Sequence, residues 1–333
     1  MTLTKSKSYN GVSVKNRLCR IPRDFDTIQK AIDVSDKGDV IIVSSGTYKE
    51  DLEIDCEDIK MIGANSGVAG YSDLRNEEAK IDGFLKVTAD AKRITIEGFK
   101  ILGKSCLHGN GVRFANNKVE SDEDGVGVKY PTPKRSNDFN IIQNQITAED
   151  EYGMIIDLDE EYGAIRVLKN IIKECENGIQ TMGESKKRAL LNISRNWIKG
   201  NKRGVNIDVA KGKVKMLYNC IEHNLESGLE AGLNNHHSLK GLEVEYNQIK
   251  NNEGDGVFFK GGKHLKNVQV QKNNLFKNDG FLFRNEVDEE IDATNNWWGE
   301  EAPAFEEKIQ GQVDYVPWLR REVKESGTDI EEK

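Results

Sequence analysis

The amino-acid sequence predicts an all-β protein that winds as one parallel β-solenoid of about ten turns. A unit of 23 to 28 residues repeats six times from about residue 139 onward, and one asparagine and one glycine recur in phase from unit to unit. Within each unit, short apolar runs alternate with polar residues, as in the segment "VQVQKN". Such alternation is typical of strands and disfavours helical repeats of similar length.

The first recurring column combines an asparagine with an aliphatic residue two positions later. The asparagines are Asn144, Asn170, Asn196, Asn219, Asn247 and Asn273, and the aliphatic residues are Ile146, Ile172, Ile198, Ile221, Ile249 and Leu275. Equivalent side chains of successive turns stack about 4.7–4.9 Å apart in a parallel coil. The aliphatic column therefore predicts the core. The asparagines predict a structural ladder that satisfies turn amides and carbonyls, not a binding site.

The second column is a glycine that opens another short strand of each unit. Its members are Gly153, Gly178, Gly204, Gly228, Gly256 and Gly280. Two columns that stay in phase over six units make a chance match improbable and predict regular turns over residues 139–299.

The two ends of the coil have their own predicted elements. Residues 26–36 predict a helical cap, with Asp26 as the expected N-cap and Ile28, Ala31 and Ile32 on one apolar face. Such a helix would cover an open end of the coil, where unpaired strand edges invite aggregation.

The segments "NNWWG" and "VDYVPWL" predict a C-terminal cap over residues 295–320. We expect Trp297, Trp298 and Trp318 to cover the last turn, and a platform that stacks sugar rings is the alternative for the tryptophans. Residues 1–20 are interpreted as an extension, 21–320 as the solenoid domain and 321–333 as a charged, mobile tail. The polar stretch 116–138 predicts a surface loop or lid.

Composition and charge narrow the classes of function. The net charge is -8 and 31% of the residues are charged, which disfavours nucleic acid as a partner. No run of about 18 apolar residues is present, so no membrane span is predicted. The five scattered cysteines predict free thiols, without a metal site. Because the sequence shows no secretory signal, we expect a cytoplasmic protein or one assembled on a spore, virion or cell surface.

Several of these segments together resemble a known family. The carriers are "FDTIQKAIDVSDKGDVIIVSSGTYKEDLEI", "IGANSGVAGYSDLRNEEAKIDG", the Asn-x-Ile units and the terminal "NNWWG" and "VDYVPWL". They are similar to the pectin-lyase-like proteins with parallel β-helix repeats. The resemblance implies a single-stranded, right-handed parallel β-helix. It also implies a polysaccharide-related or surface role, since members include lyases, hydrolases, epimerases, tailspikes and surface proteins.

The catalytic motifs of these relatives are not matched here. The aspartate and arginine motifs of pectin methylesterases and the paired aspartates of polygalacturonases are absent, and Tyr152-Gly153 and Tyr162-Gly163 match only part of the epimerase pattern. The leading hypothesis is therefore a glycan-binding or structural surface protein, whose partner is a polysaccharide or cell-surface glycan. Homo-oligomerisation is left open, and whether the protein is an enzyme stays undecided.

The alternative is a lyase that acts on an anionic, uronate-containing polysaccharide. Such a reaction needs a cation that neutralises the uronate carboxylate and a base that removes the neighbouring proton. Lys260 and Arg284 are the candidate catalytic residues, and Asp157, Asp208 and Glu230 would bind substrate on the same outward face. No cofactor is expected for a binding protein, whereas a lyase would use Ca²⁺.

A second predicted substrate-binding feature is a run of basic residues. Ten lysines and arginines lie between Lys186 and Lys215 against one acid, and Lys199, Lys202 and Arg203 are its central members. We expect a basic band that holds an anionic polymer. The alternative is neutralisation by the acidic stretch 149–161.

Overall fold

The structure is a computed structural model that describes residues 16–129, 138–158, 163–183, 189–208, 213–232, 240–261, 266–299 and 304–330. The first elements are β1 (Leu18–Ile21), α1 (Ile28–Asp33), β2 (Val40–Val43), β3 (Gly46–Tyr48), β4 (Leu52–Ile54), β5 (Lys60–Ile62), β6 (Ala79–Asp82), β7 (Leu85–Val87), β8 (Thr95–Glu97), β9 (Lys100–Leu102) and β10 (Ser105–Leu107). The strands of the middle turns are β11 (Val112–Ala115), β12 (Lys118–Ser121), β13 (Val126–Lys129), β14 (Phe139–Ile142), β15 (Gln145–Ala148), β16 (Met154–Asp157), β17 (Gly163–Leu168), β18 (Ile171–Cys175), β19 (Asn177–Met182), β20 (Ala189–Ser194), β21 (Trp197–Lys199) and β22 (Arg203–Ile207). The remaining elements are β23 (Lys213–Leu217), β24 (Cys220–Glu222), β25 (Leu229–Gly232), β26 (Lys240–Glu245), β27 (Gln248–Lys250), β28 (Val257–Lys260), β29 (Lys266–Gln271), β30 (Asn274–Phe276), β31 (Phe283–Asn285), β32 (Ile291–Asp292), a 3-10 helix (Glu306–Lys308), β33 (Ile309–Gln310) and β34 (Val313–Asp314).

The strands form three parallel sheets that run the length of the coil. Sheet 1 has the order β1-β2-β5-β8-β11-β14-β17-β20-β23-β26-β29-β32-β34, and sheet 2 has the order β3-β6-β9-β12-β15-β18-β21-β24-β27-β30. Sheet 3 has the order β4-β7-β10-β13-β16-β19-β22-β25-β28-β31-β33. From β2 to β31, each turn contributes one strand to each sheet in the order 1, 2, 3. The prediction of a right-handed parallel β-helix of about ten turns is confirmed.

The core follows the columns seen in the sequence. All six members of the aliphatic column, from Ile146 to Leu275, are completely buried. In sheet 3 the inward residues are also buried, as for Val205 and Ile207 in β22. Buried and more exposed residues therefore alternate along many strands, such as β14 and β28, as the period of two predicts.

The asparagine ladder lies at the corner between sheet 1 and sheet 2. The side chain of Asn170 donates to Asn196 Oδ1 at 3.0 Å, and the same oxygen accepts the backbone N–H of Asn170 at 2.9 Å. Asn196 repeats both bonds to Asn219, at 3.0 Å each. The residue before each ladder asparagine has a left-handed backbone, with φ of 54° at Lys169 and 56° at Arg195. The amides satisfy the buried polar groups of this tight corner, so the structural interpretation is correct.

A second asparagine ladder, which the sequence did not lead us to expect, lies between sheet 2 and sheet 3. Its members are Asn201, Asn224, Asn252 and Asn278, which are buried. The side chain of Asn224 donates to Asn252 Oδ1 at 2.8 Å, and Asn252 donates to Asn278 Oδ1 at 2.8 Å. This ladder fixes the path into sheet 3 in the last turns, where the outward residues of interest lie.

The N-terminal helix is shorter than predicted and begins one residue later. α1 covers Ile28–Asp33, and Thr27 is its N-cap, because its hydroxyl accepts the N–H of Lys30. The side chain of Asp26 instead pairs with Lys30 at 2.7 Å. The predicted apolar face is buried and packs against β2 and β4.

Two further stretches differ from the sequence-based expectation. The segment 116–138 is not one loop, because it contains β12 and β13, while 130–137 lie outside the described residues. Near the C-terminus, Val323 N donates to Asn274 Oδ1 at 2.8 Å, and Gly327 N donates to Tyr246 O at 2.8 Å. This part of the tail lies against the corner of the coil, and its mobility stays a prediction.

The terminal tryptophans divide between the core and the surface. Trp298 is 1% exposed and stacks on Phe305 at 5.8 Å between ring centroids, and Trp318 contacts Phe305 edge-on at 5.5 Å. Trp298 thus belongs to the core near the C-terminal end of the coil, and its role as a lid stays a prediction. Trp297 is half-buried and faces Phe276 at 5.1 Å.

Candidate functional site

The outer face of sheet 3 carries most of the predicted site residues in two parallel rows. The strand register aligns the first row across six turns in the order Ile155, Gln180, Asn206, Glu230, Phe258 and Arg284. The second row contains Lys129, Asp157 and Met182 and, further along, Gly232 and Lys260. These residues face outward because the positions between them fill the core.

Glu230 and Lys260 form the centre of this face. The Lys260 ammonium lies 2.5 Å from Glu230 Oε2, and Arg203 Nε lies 3.7 Å from Glu230 Oε1. Although its strand position is outward, Glu230 is only 5% exposed, whereas the side chain of Lys260 is 44% exposed. The buried carboxylate therefore holds the Lys260 ammonium at the surface, whereas Arg203 lies closer to Glu226, at 2.6 Å.

Arg284 occupies the following turn and is held in the same way. Its guanidinium lies 3.6 Å from the carboxylate of buried Asp255, is bonded to Glu286, and lies 4.6 Å from the ring centroid of Phe258. The ring and the acids fix the direction of a side chain that is 32% exposed.

An amide network continues the row on the other side of Glu230. Asn177 and Asn206 each donate to Gln180 Oε1 at 3.0 Å, and Gln180 donates to Thr181 O at 2.7 Å. Gln180 is 8% exposed and Asn206 is half-buried. Neutral hydrogen-bonding groups thus adjoin the charged centre.

The predicted acids on this face are not brought together. Asp157 lies 3.0 Å from Lys129, and the strand order puts it four turns, or about 19 Å, from Lys260. Asp208 directly follows β22, and its backbone N–H donates to Thr181 Oγ1 at 3.0 Å. Of the predicted acids, only Glu230 contacts Lys260.

The described members of the predicted basic band are distributed over several faces of the coil, while Lys186, Lys187, Arg188 and Lys211 lie outside the described residues. A repeat unit makes one complete turn, so residues close in sequence are distributed around the whole circumference. Lys199 lies on the outer face of sheet 2, with its ammonium 3.9 Å from the ring centroid of Trp197. Lys202 pairs with Glu176 at 3.3 Å, and Lys215 pairs with Glu243 at 2.8 Å. Both of these partners come from neighbouring turns, and neutralisation by the acidic stretch 149–161 stays a prediction, since 159–161 lie outside the described residues.

His108 also lies on this face, although the sequence shows no sign of a functional partner for it. It directly follows β10, the strand that pairs with β13, which ends at Lys129. Burial lowers the pKa of His108, and the positive charges of Lys129 and Lys86 lower it further. The pairing of β10 with β13 could have indicated the proximity to Lys129, but a lone histidine is usually structural. His236, His237 and His264 lie outside the described residues.

One family model matches most of the chain and identifies the family to which it belongs. Residues 86–313, about two thirds of the sequence, match the model of the family described as periplasmic copper-binding protein (NosD). The chain belongs to the NosD family. The expected cytoplasmic location is therefore wrong for this NosD-family protein, because its family is described as periplasmic. No helix among the described residues is long and apolar enough to cross a membrane.

Other comparisons add little to the NosD assignment. The A-module of mannuronan C-5 epimerase AlgE6 from Azotobacter vinelandii is 14% identical, with 87% of this chain and 94% of that one covered, at a TM-score of 0.38. That similarity is too low to bear on function. No curated protein matches the sequence.

The copper in the description of the NosD family would need a group of metal-binding side chains in this protein. Within the described ranges, no three His, Cys, Asp or Glu side chains group closely enough to hold a metal ion. Burial raises the pKa of the Cys175 and Cys220 thiols to about 12, which opposes the thiolate form that binds metals. Cys106 and His108 provide only two donors on one face. The described residues do not fit a copper site, so no role is derived for copper.

Proposed function

We propose that the protein binds an extended polysaccharide along the outer face of sheet 3 and does not cleave it. The observation that carries this proposal is the set of partly exposed cations, Arg203, Lys260 and Arg284, that acids of sheet 3 and its borders hold on three turns of this face. Successive turns rise by about 4.7–4.9 Å. This rise is close to the length of one sugar residue, so a polymer that runs parallel to the coil axis would meet equivalent positions.

The chemistry of the face suits a sugar polymer with spaced carboxylates. An ammonium has three N–H donors and a guanidinium has five, so Lys260 and Arg284 retain donors beyond those used by their acid partners. Asn206 adds a neutral amide for hydroxyl groups. The Phe258 ring supplies apolar surface, as sugar-binding aromatic residues do. The acids of the face neutralise most of its positive charge, which favours recognition by hydrogen bonds over attraction of any polyanion.

The same contacts favour binding over elimination. Lys260 Nζ donates to Glu230 Oε2, so the nitrogen that a lyase would use as its base is directed at a carboxylate and not at a sugar carbon. Asp157, a proposed subsite acid, lies too far along the coil to act on the sugar at Lys260. The family description suggests a periplasmic location, where such polymers are accessible. Homo-oligomerisation through exposed sheets stays a prediction.

Affinity electrophoresis tests the proposal with alginate, pectate and hyaluronan as anionic polymers and with dextran as a neutral one. We expect one anionic polymer to retard the protein saturably, and Lys260→Gln and Arg284→Gln each to weaken binding about 10-fold or more. Lys215→Gln is the matched control, because Lys215 is an ion-paired lysine on sheet 1. Equal binding by all three variants would contradict the proposed face.

The same samples test the lyase alternative. Unsaturated uronates absorb in the ultraviolet, and the proposal predicts no increase in absorbance with or without Ca²⁺. An increase that Lys260→Gln abolishes would replace binding by elimination. Retardation by dextran alone would contradict the assignment of a carboxylate-bearing ligand.

A further inference from the structure

The C-terminal segment of the described chain runs back over the corner between sheet 1 and sheet 2. It leaves the coil at Leu319, whose N–H donates to Asn296 O at 2.8 Å. The next three residues, 320–322, are exposed. They form a joint between the coil and residues 323–330, which we call the strap. The strap lies far from the outer face of sheet 3, and its contacts are with earlier turns of the coil.

Asn274 holds the first turn of the strap. Its position in β30 is outward, because Leu275 fills the core, and yet it is only 1% exposed. Asn274 Oδ1 accepts the N–H of Val323 at 2.8 Å, and its Nδ2 donates to Val323 O at 3.1 Å and to Ser326 Oγ at 2.5 Å. One side-chain amide therefore recognises both backbone groups of one strap residue and the hydroxyl of another.

Ser326 and Gly327 are buried where they cross the next turn. Gln248 Nε2 donates to Ser326 O at 3.3 Å, and the N–H of Gly327 donates to Tyr246 O at 2.8 Å. Gly327 has a left-handed backbone with φ of 88°, and a Cβ at this position would lie 3.2 Å from Gln248 Cγ. The corner therefore accepts glycine in preference to any other residue at this point.

The last described contacts of the strap reach two still earlier turns. Thr328 Oγ1 donates to Arg195 O at 2.7 Å, and the Asp329 carboxylate lies 3.1 Å from the ammonium of Lys169. Arg195, like Tyr246, directly precedes a ladder asparagine. The corner thus presents a fixed row of groups that match a turn followed by the sequence Ser-Gly-Thr-Asp.

The strap is attached by polar contacts alone. None of residues 320–330, all of which the structure describes, belongs to the hydrophobic core. Segments with few buried apolar contacts open locally at a small fraction of the free energy of global unfolding. The strap can therefore lift about its exposed joint while the ladders and the aliphatic column keep the coil folded.

We infer that the corner between sheets 1 and 2 is a peptide-binding groove, which the C-terminal strap of the same chain occupies and can leave. Once open, the groove accepts a segment of a partner protein that carries the same turn and the same Ser-Gly-Thr-Asp pattern. Recognition through backbone groups gives such a groove its affinity, and the glycine, hydroxyl and carboxylate positions give it specificity. The groove shares no residue with the proposed polysaccharide face.

Gly327→Ala in the full chain opens the groove without changing the coil. Alanine is disfavoured at a left-handed φ, so the strap should lift more often. We expect hydrogen–deuterium exchange of residues 323–330 to become about 5-fold faster or more. Gly67→Ala is the matched control, because Gly67 has a similar φ of 79° but no heavy atom within 4 Å of its added Cβ. It should leave the exchange of the strap unchanged.

A labelled synthetic peptide of residues 320–330 then measures binding by fluorescence anisotropy. The Gly327→Ala chain should bind it with a Kd on the order of 0.1 mM, and wild type should bind it about 5-fold more weakly or less, because its own strap competes. Adding Lys169→Gln, at a lysine whose side chain is 41% exposed, should weaken the peptide about 2- to 3-fold by removing the partner of its aspartate.

Two results would overturn the inference. Unchanged exchange of the strap in Gly327→Ala would show that the segment is a fixed part of the fold. Faster exchange without peptide binding, or equal binding of a peptide with the same residues in scrambled order, would show that the corner does not recognise a peptide. Neither result bears on the polysaccharide face, which is tested separately.

Discussion

Glu230 points outward from sheet 3 and is nevertheless almost completely buried, because Lys260 of the next turn closes over it at 2.5 Å. The pair converts an outward carboxylate into a fixed support for a surface ammonium. A solenoid can repeat such supports at every turn, since each turn presents the same positions at a constant rise. This relationship underlies the proposed binding face, and the ladders inside the coil keep its register.

Asn219→Ala should destabilise the coil strongly. The side chain of Asn219 accepts from the N–H and the amide of Asn196 and donates to Ile193 O and Asn247 Oδ1. Its removal leaves several buried groups unsatisfied, and we expect a loss of about 2–5 kcal/mol in unfolding free energy. Urea denaturation measures the effect.

The matched control for the ladder is Asn140→Ala, which removes a half-buried asparagine from the outer face of sheet 1. A change within about 0.5 kcal/mol is expected there. An equal loss of unfolding free energy in Asn219→Ala and Asn140→Ala would contradict a stabilising role for the ladder.

Gly204→Ala should destabilise the turn that carries Arg203. A Cβ at this glycine would lie 2.3 Å from Gly228 O and 2.7 Å from Ile221 Cγ2, so neighbouring turns would have to separate. We expect a loss of about 1–3 kcal/mol, measured by thermal unfolding. Gly127→Ala is the control, because no heavy atom lies within 4 Å of its added Cβ. A neutral result at Gly204 would contradict the close approach of the turns.

Asp39→Asn should reduce stability at neutral pH but not in acid. Burial by itself would raise the pKa of Asp39. The guanidinium of Arg17 and the backbone donors together lower this pKa by more, so it lies below its ordinary value. A carboxyl with a depressed pKa stabilises the fold above its unfolded pKa of about 3.9 and loses this contribution as the pH falls through the folded value.

The expected difference between wild type and Asp39→Asn is about 1 kcal/mol at pH 7, because Arg17 is partly exposed and solvent weakens the pair. The difference should shrink below about pH 4. Asp73→Asn, at an exposed acid without an ion pair among the described residues, should show no such trend. A difference that is constant with pH would contradict the assigned role of Asp39.

The sequence was sufficient for the features that repeat in every turn. The aliphatic column, the glycine column and the ladder at Asn170 and Asn196 follow from periodicity, because a parallel coil stacks equivalent residues. The outward positions of Lys260 and Arg284 follow from the alternation within strands. The second asparagine ladder was not predicted, because its members, such as Asn224, occur only in the last turns.

The grouping of the site residues could be predicted only in part. Whether Lys199 and Arg203 share a face depends on where each turn bends, and the sheet boundary between them is not visible in the sequence. The burial of Glu230 depends on the reach of Lys260 across one turn. The N-cap of α1 is Thr27 and not the predicted Asp26. Both residue types can cap a helix, and only the path of the chain decides between them.

Lysine footprinting in the presence of the bound polysaccharide tests the central claim most directly. Acetylation rates are compared with and without the polymer that retards the protein, at Lys260 on sheet 3, Lys199 on sheet 2 and Lys215 on sheet 1. The proposal predicts that Lys260 is protected several-fold while Lys199 and Lys215 react as before. Protection of Lys199 or Lys215 with an unchanged rate at Lys260 would place the ligand on another sheet and contradict the account.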